Sequence, residues 1–289
     1  MAGITHRPLS PAVGIAVDLD LESDLTDARF AELAALFRRY HLLLFRGQDL
    51  SEATQVDFSR RFGPISKRNP AQGTHDTVLV SNVAPGGVLG QGLLHFHSDN
   101  TFFAEPLKAI GLYAIEVPES GGDTLFSNAF LVYERLPAAL KARVEGLSSH
   151  QLFDYHGDYN LRPDLETAPK DAQQALHPLV WRDPDSGQKA LFLSEHTTAA
   201  IPGLSRDEEE ELIGELRNRI ADPAVLYRHH WRPGDFLFWN NVALQHARDT
   251  FDPTARRTLR RTPVLDPEGA RRFPHSRDLR QPATRLQSA

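Results

Sequence analysis

His97 and Asp99 stand two residues apart in the stretch LLHFHSDNTFF, residues 93–103, and His95 precedes them at the same spacing. In an extended strand, residues i, i+2 and i+4 project to one side. The segment can therefore aim two imidazoles and a carboxylate at one point. An imidazole with a carboxylate suits a divalent transition metal. A third ligand must come from elsewhere. His246, which ends an apolar run in DFLFWNNVALQHARD, is the best candidate. Taken alone, His246 reads more readily as a hydrogen-bonded core histidine. Taken with His97 and Asp99, it completes two histidines and one carboxylate. Such a set occupies one face of an octahedron and leaves three positions open, as in non-heme Fe(II) oxygenases.

Two further motifs bear on that chemistry. GGDT at 121–124 follows a strand-like run and ends in the Thr124 hydroxyl. In ARRTLRRTP, residues 255–263, strand alternation places Arg257, Leu259 and Arg261 on one face. Arg256, Thr258 and Arg260 fall on the other. One arginine pair is expected to enter a barrel while the other faces water. A guanidinium inside a barrel requires an anion, because an unpaired buried charge is too costly. A dicarboxylate ligand meets that need through a bidentate contact. The plainer alternative leaves both pairs solvated or bound to internal Asp and Glu.

The elements that must position these residues are mostly strands. Residues 24–39 show apolar positions at helical spacing, with acids early and arginines late. SEATQVDFSRRFG reads as a capped helix ending at glycine, and SRDEEEELIGELRNRIAD as another with an acidic start. AFLVYERL and ALKARVEGL form a helical pair broken at Pro137. Strand-like runs recur between them: HLLLFRG, TVLVSNV, LKAIGLYAIEV, DTLFSN, HPLVW, KALFL, AVLYRHHW, DFLFWNN and RRTLRRTPV. Many short strands with turn signals and a few covering helices predict a mainly β sandwich or jelly-roll barrel. One domain is expected over residues 1–265, followed by an Arg- and Pro-rich C-terminal tail, 266–289, that wraps the surface or frays.

Composition narrows the function. With 289 residues, 40% hydrophobic and 24% charged, the chain is an ordinary soluble one. Its net charge of −6 argues against nucleic acid as a partner. The absence of cysteine removes disulfides, thiolate zinc sites, iron–sulfur clusters and a thiol nucleophile. No leader-like or membrane-length apolar stretch is present, so a cytoplasmic protein without a membrane partner is expected. No Gly-rich nucleotide-binding signature appears.

Jointly, LLLFRGQDLSEATQVDFSRRFGPI, FHSDNTF, PESGGDTLFSN, SGQKALFLSEHT, RPGDFLFWNNVALQHARD and RRTLRRTPV resemble, in order, the taurine dioxygenase and chlorophenoxyacetate dioxygenase family of Fe(II)/2-oxoglutarate-dependent oxygenases. The resemblance implies a double-stranded β-helix, a jelly-roll of the cupin kind. It implies His97, Asp99 and His246 as iron ligands and Thr124 with Arg257 as holders of the far carboxylate of 2-oxoglutarate. It implies Arg261 as the grip on the acidic group of a small carboxylate or sulfonate substrate, with His196 and Phe102 lining the substrate pocket. O2 is the second cosubstrate, succinate and CO2 are released, and the usual outcome is hydroxylation of an unactivated C–H bond. Relatives of this kind form dimers or tetramers, so a homo-oligomer is expected. The chain departs from the family in two places. Asn240 replaces the usual aspartate after Trp239, and His95 is additional, placed to contact substrate or simply to pack. The HxHxD pattern also admits a dinuclear zinc metallohydrolase, although Asn100 stands where its next histidine belongs. A non-catalytic jelly-roll binding protein is the third reading.

Overall fold

The structure, a computed structural model, describes residues 3–68, 72–153 and 161–279. Alternation along the apolar run Phe236–Asn240 explains its layering. Phe236 and Phe238 face the helices Asp27–Tyr40 and Glu52–Arg60, packing on Phe37 and Phe58. The Phe58 and Phe238 rings meet edge to face at 5.2 Å. Leu237 and Trp239 face the other way, into a second core shared with Phe126 and Leu244. All four are essentially without solvent contact. Each buried phenylalanine contributes about 1.5–3 kcal/mol. Phe236 to Trp239 are all apolar because both faces of their sheet are covered.

That sheet has seven strands in the order His6–Pro8, Ile15–Val17, Leu42–Phe45, Phe236–Asn240, Ala109–Glu116, Thr258–Val264, Val78–Ser81. Only the Ile15–Val17 and Leu42–Phe45 pair is parallel. Against its inner face lies a four-stranded antiparallel sheet ordered Leu226–His229, Thr124–Asn128, Leu244–Arg248, Leu94–His97. The inner core between the two sheets is where the candidate site sits. A third sheet joins Thr198–Ala200, Ser148–Leu152, Gln174–Pro178 and Arg277–Asp278. The fold is thus mainly β with covering helices.

The helices start where the sequence places their caps. Ser51 accepts from Thr54 N, and Ser205 forms a capping box with Glu208. Pro137 separates Ala129–Arg135 from Ala138–Val144. The stretch 266–279 is anchored. Phe273 is buried and stacks on Trp181 at 5.5 Å, Arg272 pairs with Asp183 and Asp266, and Arg277–Asp278 extends the third sheet. The remainder of the expected tail, 280–289, lies outside the described residues. Among the described residues, no helix is long and apolar enough to cross a membrane.

Candidate metal centre

The strand Leu94–His97 pairs with Leu244–Arg248 so that His246 lies directly across from His97, with ring centroids 4.1 Å apart. The strand ends at His97. Asp99 follows in a turn, where Asn100 takes a left-handed φ of 59°. The expectation that His95, His97 and Asp99 share one strand face therefore does not hold: only the two histidines lie on the strand. Side-chain hydrogen bonds, rather than the sheet ladder, place Asp99. Buried Asn241 accepts from Asp99 N at 2.7 Å and donates to the carbonyls of Asp99 at 3.0 Å and Leu107 at 2.9 Å. Sequence reasoning did not single out Asn241. Its only signal was an amide directly after an apolar strand.

The structure brings His97, Asp99 and His246 together, with donor atoms all within 4.8 Å of one another. His97 Nε2 lies 3.3 Å, and His246 Nε2 3.7 Å, from Asp99 Oδ1. The His97 Nδ1–H donates to the His95 carbonyl at 2.7 Å, which fixes the tautomer and turns the Nε2 lone pair toward Asp99. Burial alone would raise the Asp99 carboxyl. The Arg261 guanidinium and the adjoining His97 and His246 rings outweigh it and hold the group well below the usual carboxylate range. Burial, reinforced by His97, pushes His246 down to about 3. Neutral imidazole and ionised carboxylate are the protonation states a divalent cation requires of its ligands. The donor set fits one such ion.

The other expected site residues divide. Phe102, His196 and Arg261 line a cavity of about 110 Å³ together with His97 and Asp99. Phe102 stacks on Phe153 at 4.4 Å, and the His196 ring meets His97 at 4.2 Å. Burial holds His196 well below the ordinary imidazole value, hence neutral. Arg261 donates to Asp99 Oδ2 at 2.5 Å. The His95 side chain is not among the residues lining the cavities around the triad. Its contribution is the carbonyl that orients His97.

Thr124, Arg257, His246 and Arg261 line a second, smaller cavity that also borders His97 and Asp99. Arg257 is 2% exposed. Its Nη2 reaches the Gly122 carbonyl at 3.3 Å, and its Nε has no partner among the described residues. No carboxylate pairs with it there. Burial, followed by the charge of Arg248, lowers its pKa to about 9. Gly121 and Gly122 let the chain approach this closely. Both have φ near 70°, and a Cβ on Gly122 would stand 3.1 Å from Arg257 Nε. On the opposite face of the strand, Arg256 is exposed and pairs with Glu116, as expected. Arg260 is not in water. It donates to Gln55 Oε1 at 2.7 Å and to the Leu50 carbonyl at 2.5 Å, because the helix Glu52–Arg60 covers that end of the sheet.

Comparison with known proteins gives the chain a family. A family model described as "Taurine catabolism dioxygenase TauD, TfdA family" matches residues 5–262. The chain belongs to that family. It is 32% identical over 271 residues to the (S)-phenoxypropionate/alpha-ketoglutarate-dioxygenase of Sphingobium herbicidovorans, covering 87% of this chain and 91% of that protein. It is 31% identical over 287 residues to the alpha-ketoglutarate-dependent 2,4-dichlorophenoxyacetate dioxygenase of Cupriavidus pinatubonensis, covering 91% and 98%. The solved structure of AAD-2 in complex with Mn(II) and N-oxalylglycine superposes with a TM-score of 0.78 at 27% identity, covering 93% of this chain and 99% of that one. The protein is an alpha-ketoglutarate-dependent dioxygenase, an oxidoreductase, and its family uses Fe(II), 2-oxoglutarate and O2.

Within the family frame, the Asn240 departure is conservative. Its Oδ1 accepts from Val242 N and Ala243 N, each at 3.1 Å, closing the turn that leads to the His246 strand. A carboxylate oxygen would accept the same two bonds, so the amide preserves the turn and removes one charge.

Proposed function

We propose that this enzyme oxidises an unactivated C–H bond of a small organic anion, most simply by hydroxylation, with release of succinate and CO2. The two facing sheets are read as a double-stranded β-helix with the reaction at its mouth. His97 Nε2, the Asp99 carboxylate and His246 would hold Fe(II). The metal, when bound with 2-oxoglutarate, supplies O2 activation and the oxidising power of the reaction.

The chain's own residues then have separable tasks. Arg257 and Thr124 hold the far carboxylate of 2-oxoglutarate. Asn241 and the His95 carbonyl keep the ligating groups aimed. Leu94, Phe102 and Phe153 shield the centre from water and give the substrate an apolar bed. Arg261 sits at the inner end of that bed and receives the substrate anion, which must share the guanidinium with Asp99. The phenoxypropionate- and dichlorophenoxyacetate-oxidising relatives support a carboxylate carried on an apolar or aromatic body.

One observation carries this reading: a guanidinium 2% exposed, without a counter-anion among the described residues, faces the same small cavity as the triad. An unneutralised buried charge is a standing cost, so it marks where an anion belongs. The test is an anaerobic titration of the Fe(II) protein with 2-oxoglutarate, followed by candidate acids. A metal-to-ligand charge-transfer band that grows with 2-oxoglutarate and shifts with an acid is the expected result. If Asp99→Ala or His97→Ala still couples substrate to succinate at the parental rate, the triad assignment fails.

A further inference from the structure

Thr124 is the weak link in the proposed carboxylate site. A hydroxyl has one proton and two lone pairs, and it rotates toward whichever neighbour suits it. A threonine meant to hold an anion must be prevented from spending its proton elsewhere. Trp231 meets that need. Its indole N–H donates to Thr124 Oγ1 at 3.0 Å. Among the described residues no acceptor takes the Thr124 proton, and Thr124 is 4% exposed and lines the cavity that holds Arg257.

We infer that Trp231 is a positioning residue for the cosubstrate: by filling one lone pair of Thr124 it fixes that hydroxyl as a hydrogen-bond donor to an anion beside Arg257. This rests on the reading of Thr124 and Arg257 as the carboxylate site. Donation into an oxygen polarises the hydroxyl and strengthens its own donation. A donor aimed beforehand needs no reorganisation when the anion arrives.

The indole is itself held in place. Residues Leu226–His229 run antiparallel to Thr124–Asn128 with His229 opposite Thr124. The His229 ring, fully buried, meets the Trp231 ring at 4.6 Å and 87°. His229 Nε2–H donates to Asp235 Oδ2 at 3.1 Å, and its Nδ1 accepts from the Tyr227 hydroxyl at 3.0 Å. The same Asp235 oxygen takes Arg46 Nη1 at 2.6 Å and Arg232 N at 2.9 Å. A buried carboxylate thus fixes the imidazole against which the indole rests. The competing account is that Trp231, which belongs to the inner core, merely found a convenient acceptor.

A double-mutant cycle separates the two. The Fe(II) protein is titrated anaerobically with 2-oxoglutarate in the parent and in the Trp231→Phe, Thr124→Ser and Thr124→Val variants, alone and combined, with melting temperature and Fe(II) affinity recorded for each. Trp231→Phe should weaken 2-oxoglutarate about 5–10-fold in the parent and in Thr124→Ser, which keeps the hydroxyl. On Thr124→Val it should change affinity by less than about 2-fold. An equal loss on Thr124→Val means that Trp231 acts through packing, and no loss in the parent means that the bond is idle; either overturns the inference. If Thr124→Val by itself leaves 2-oxoglutarate binding intact, the carboxylate-site reading is what has failed, and the inference falls with it. Should Trp231→Phe not fold, benzothienylalanine at 231, which keeps the ring shape and replaces the N–H by sulfur, goes through the same cycle with the same outcomes.

Discussion

Two buried arginines lie nine residues apart in sequence and flank the Phe251 ring at nearly equal distances, 5.9 Å for Arg248 and 5.8 Å for Arg257. They are 4% and 2% exposed. Burial lowers the first to about 10 and, with help from the first, the second to about 9. Their surroundings differ. Arg248 gives its donors to main-chain carbonyls: Nε to Gly92 at 3.0 Å, Nη2 to Gln91 at 2.6 Å and Gly92 at 2.8 Å, and Nη1 to Leu89. Arg257 has one long bond to Gly122 and an idle Nε. A buried cation saturated with carbonyl oxygens is scaffold. One left short of partners is, on the proposed reading, the receptor for an anion.

Substitution should separate the pair. Arg257→Met should weaken 2-oxoglutarate about 100-fold, the loss of two charge-assisted hydrogen bonds, while the melting temperature without cosubstrate holds or rises. Arg248→Met should do the reverse. It strips donors from three carbonyls and destabilises the fold by about 2–4 kcal/mol in urea unfolding, with a smaller effect on cosubstrate affinity. If both variants lose stability alike and bind 2-oxoglutarate alike, the distinction between scaffold and receptor is wrong.

Asn241, beside Asp99, is by contrast a buried neutral group with all its bonds made. Asn241→Ala removes the grip on Asp99 and should weaken Mn(II) or Fe(II) binding about 10-fold in the absence of 2-oxoglutarate. An unchanged metal affinity would mean that the turn holds Asp99 unaided.

The smallest effect concerns buried bases. Burial lowers His177 to about 4, where Nε2 donates to the Thr101 carbonyl and Nδ1 accepts from Ser276. It lowers His41 to about 4 as well, and the Nδ1 of that residue has no partner among the described residues. Both folded groups stay neutral while the unfolded chain takes up protons below about pH 6.5, so stability must fall as pH falls from 6.5 toward 4. The expected slope is about 1.4 kcal/mol per pH unit for each histidine. Unfolding in urea at pH 6.5, 5.5 and 4.5 measures it, and His177→Gln should flatten it by one histidine's share.

What the sequence disclosed follows from where information is local. The long helices were legible because capping serines and apolar spacing are short-range signals, as at Ser205 and Leu212–Leu216. The strand Phe236–Asn240 was legible from its apolar run. Ser148–Leu152 was not, because its buried Ser149 and Gln151 bond to other polar side chains instead of making an apolar stripe. The three-residue strands Ile15–Val17 and Thr198–Ala200 are too short to show a period. In the site, His97 was legible from its i, i+2 neighbours and His246 from its place at a strand end. The grip of Asn241 on Asp99, the bond from Arg261 to Asp99 and the bond from Trp231 to Thr124 were not. Each joins residues more than 100 positions apart and leaves no local pattern.

The pairing of His97 with His246 has a wider consequence. The two imidazoles face each other across a single rung of one backbone ladder, so their separation is independent of how much chain runs between them. Loops in that interval are free to lengthen, shorten or change composition without disturbing the distance between the two rings. A lineage built this way can rebuild its rim while the paired rings stay where they were.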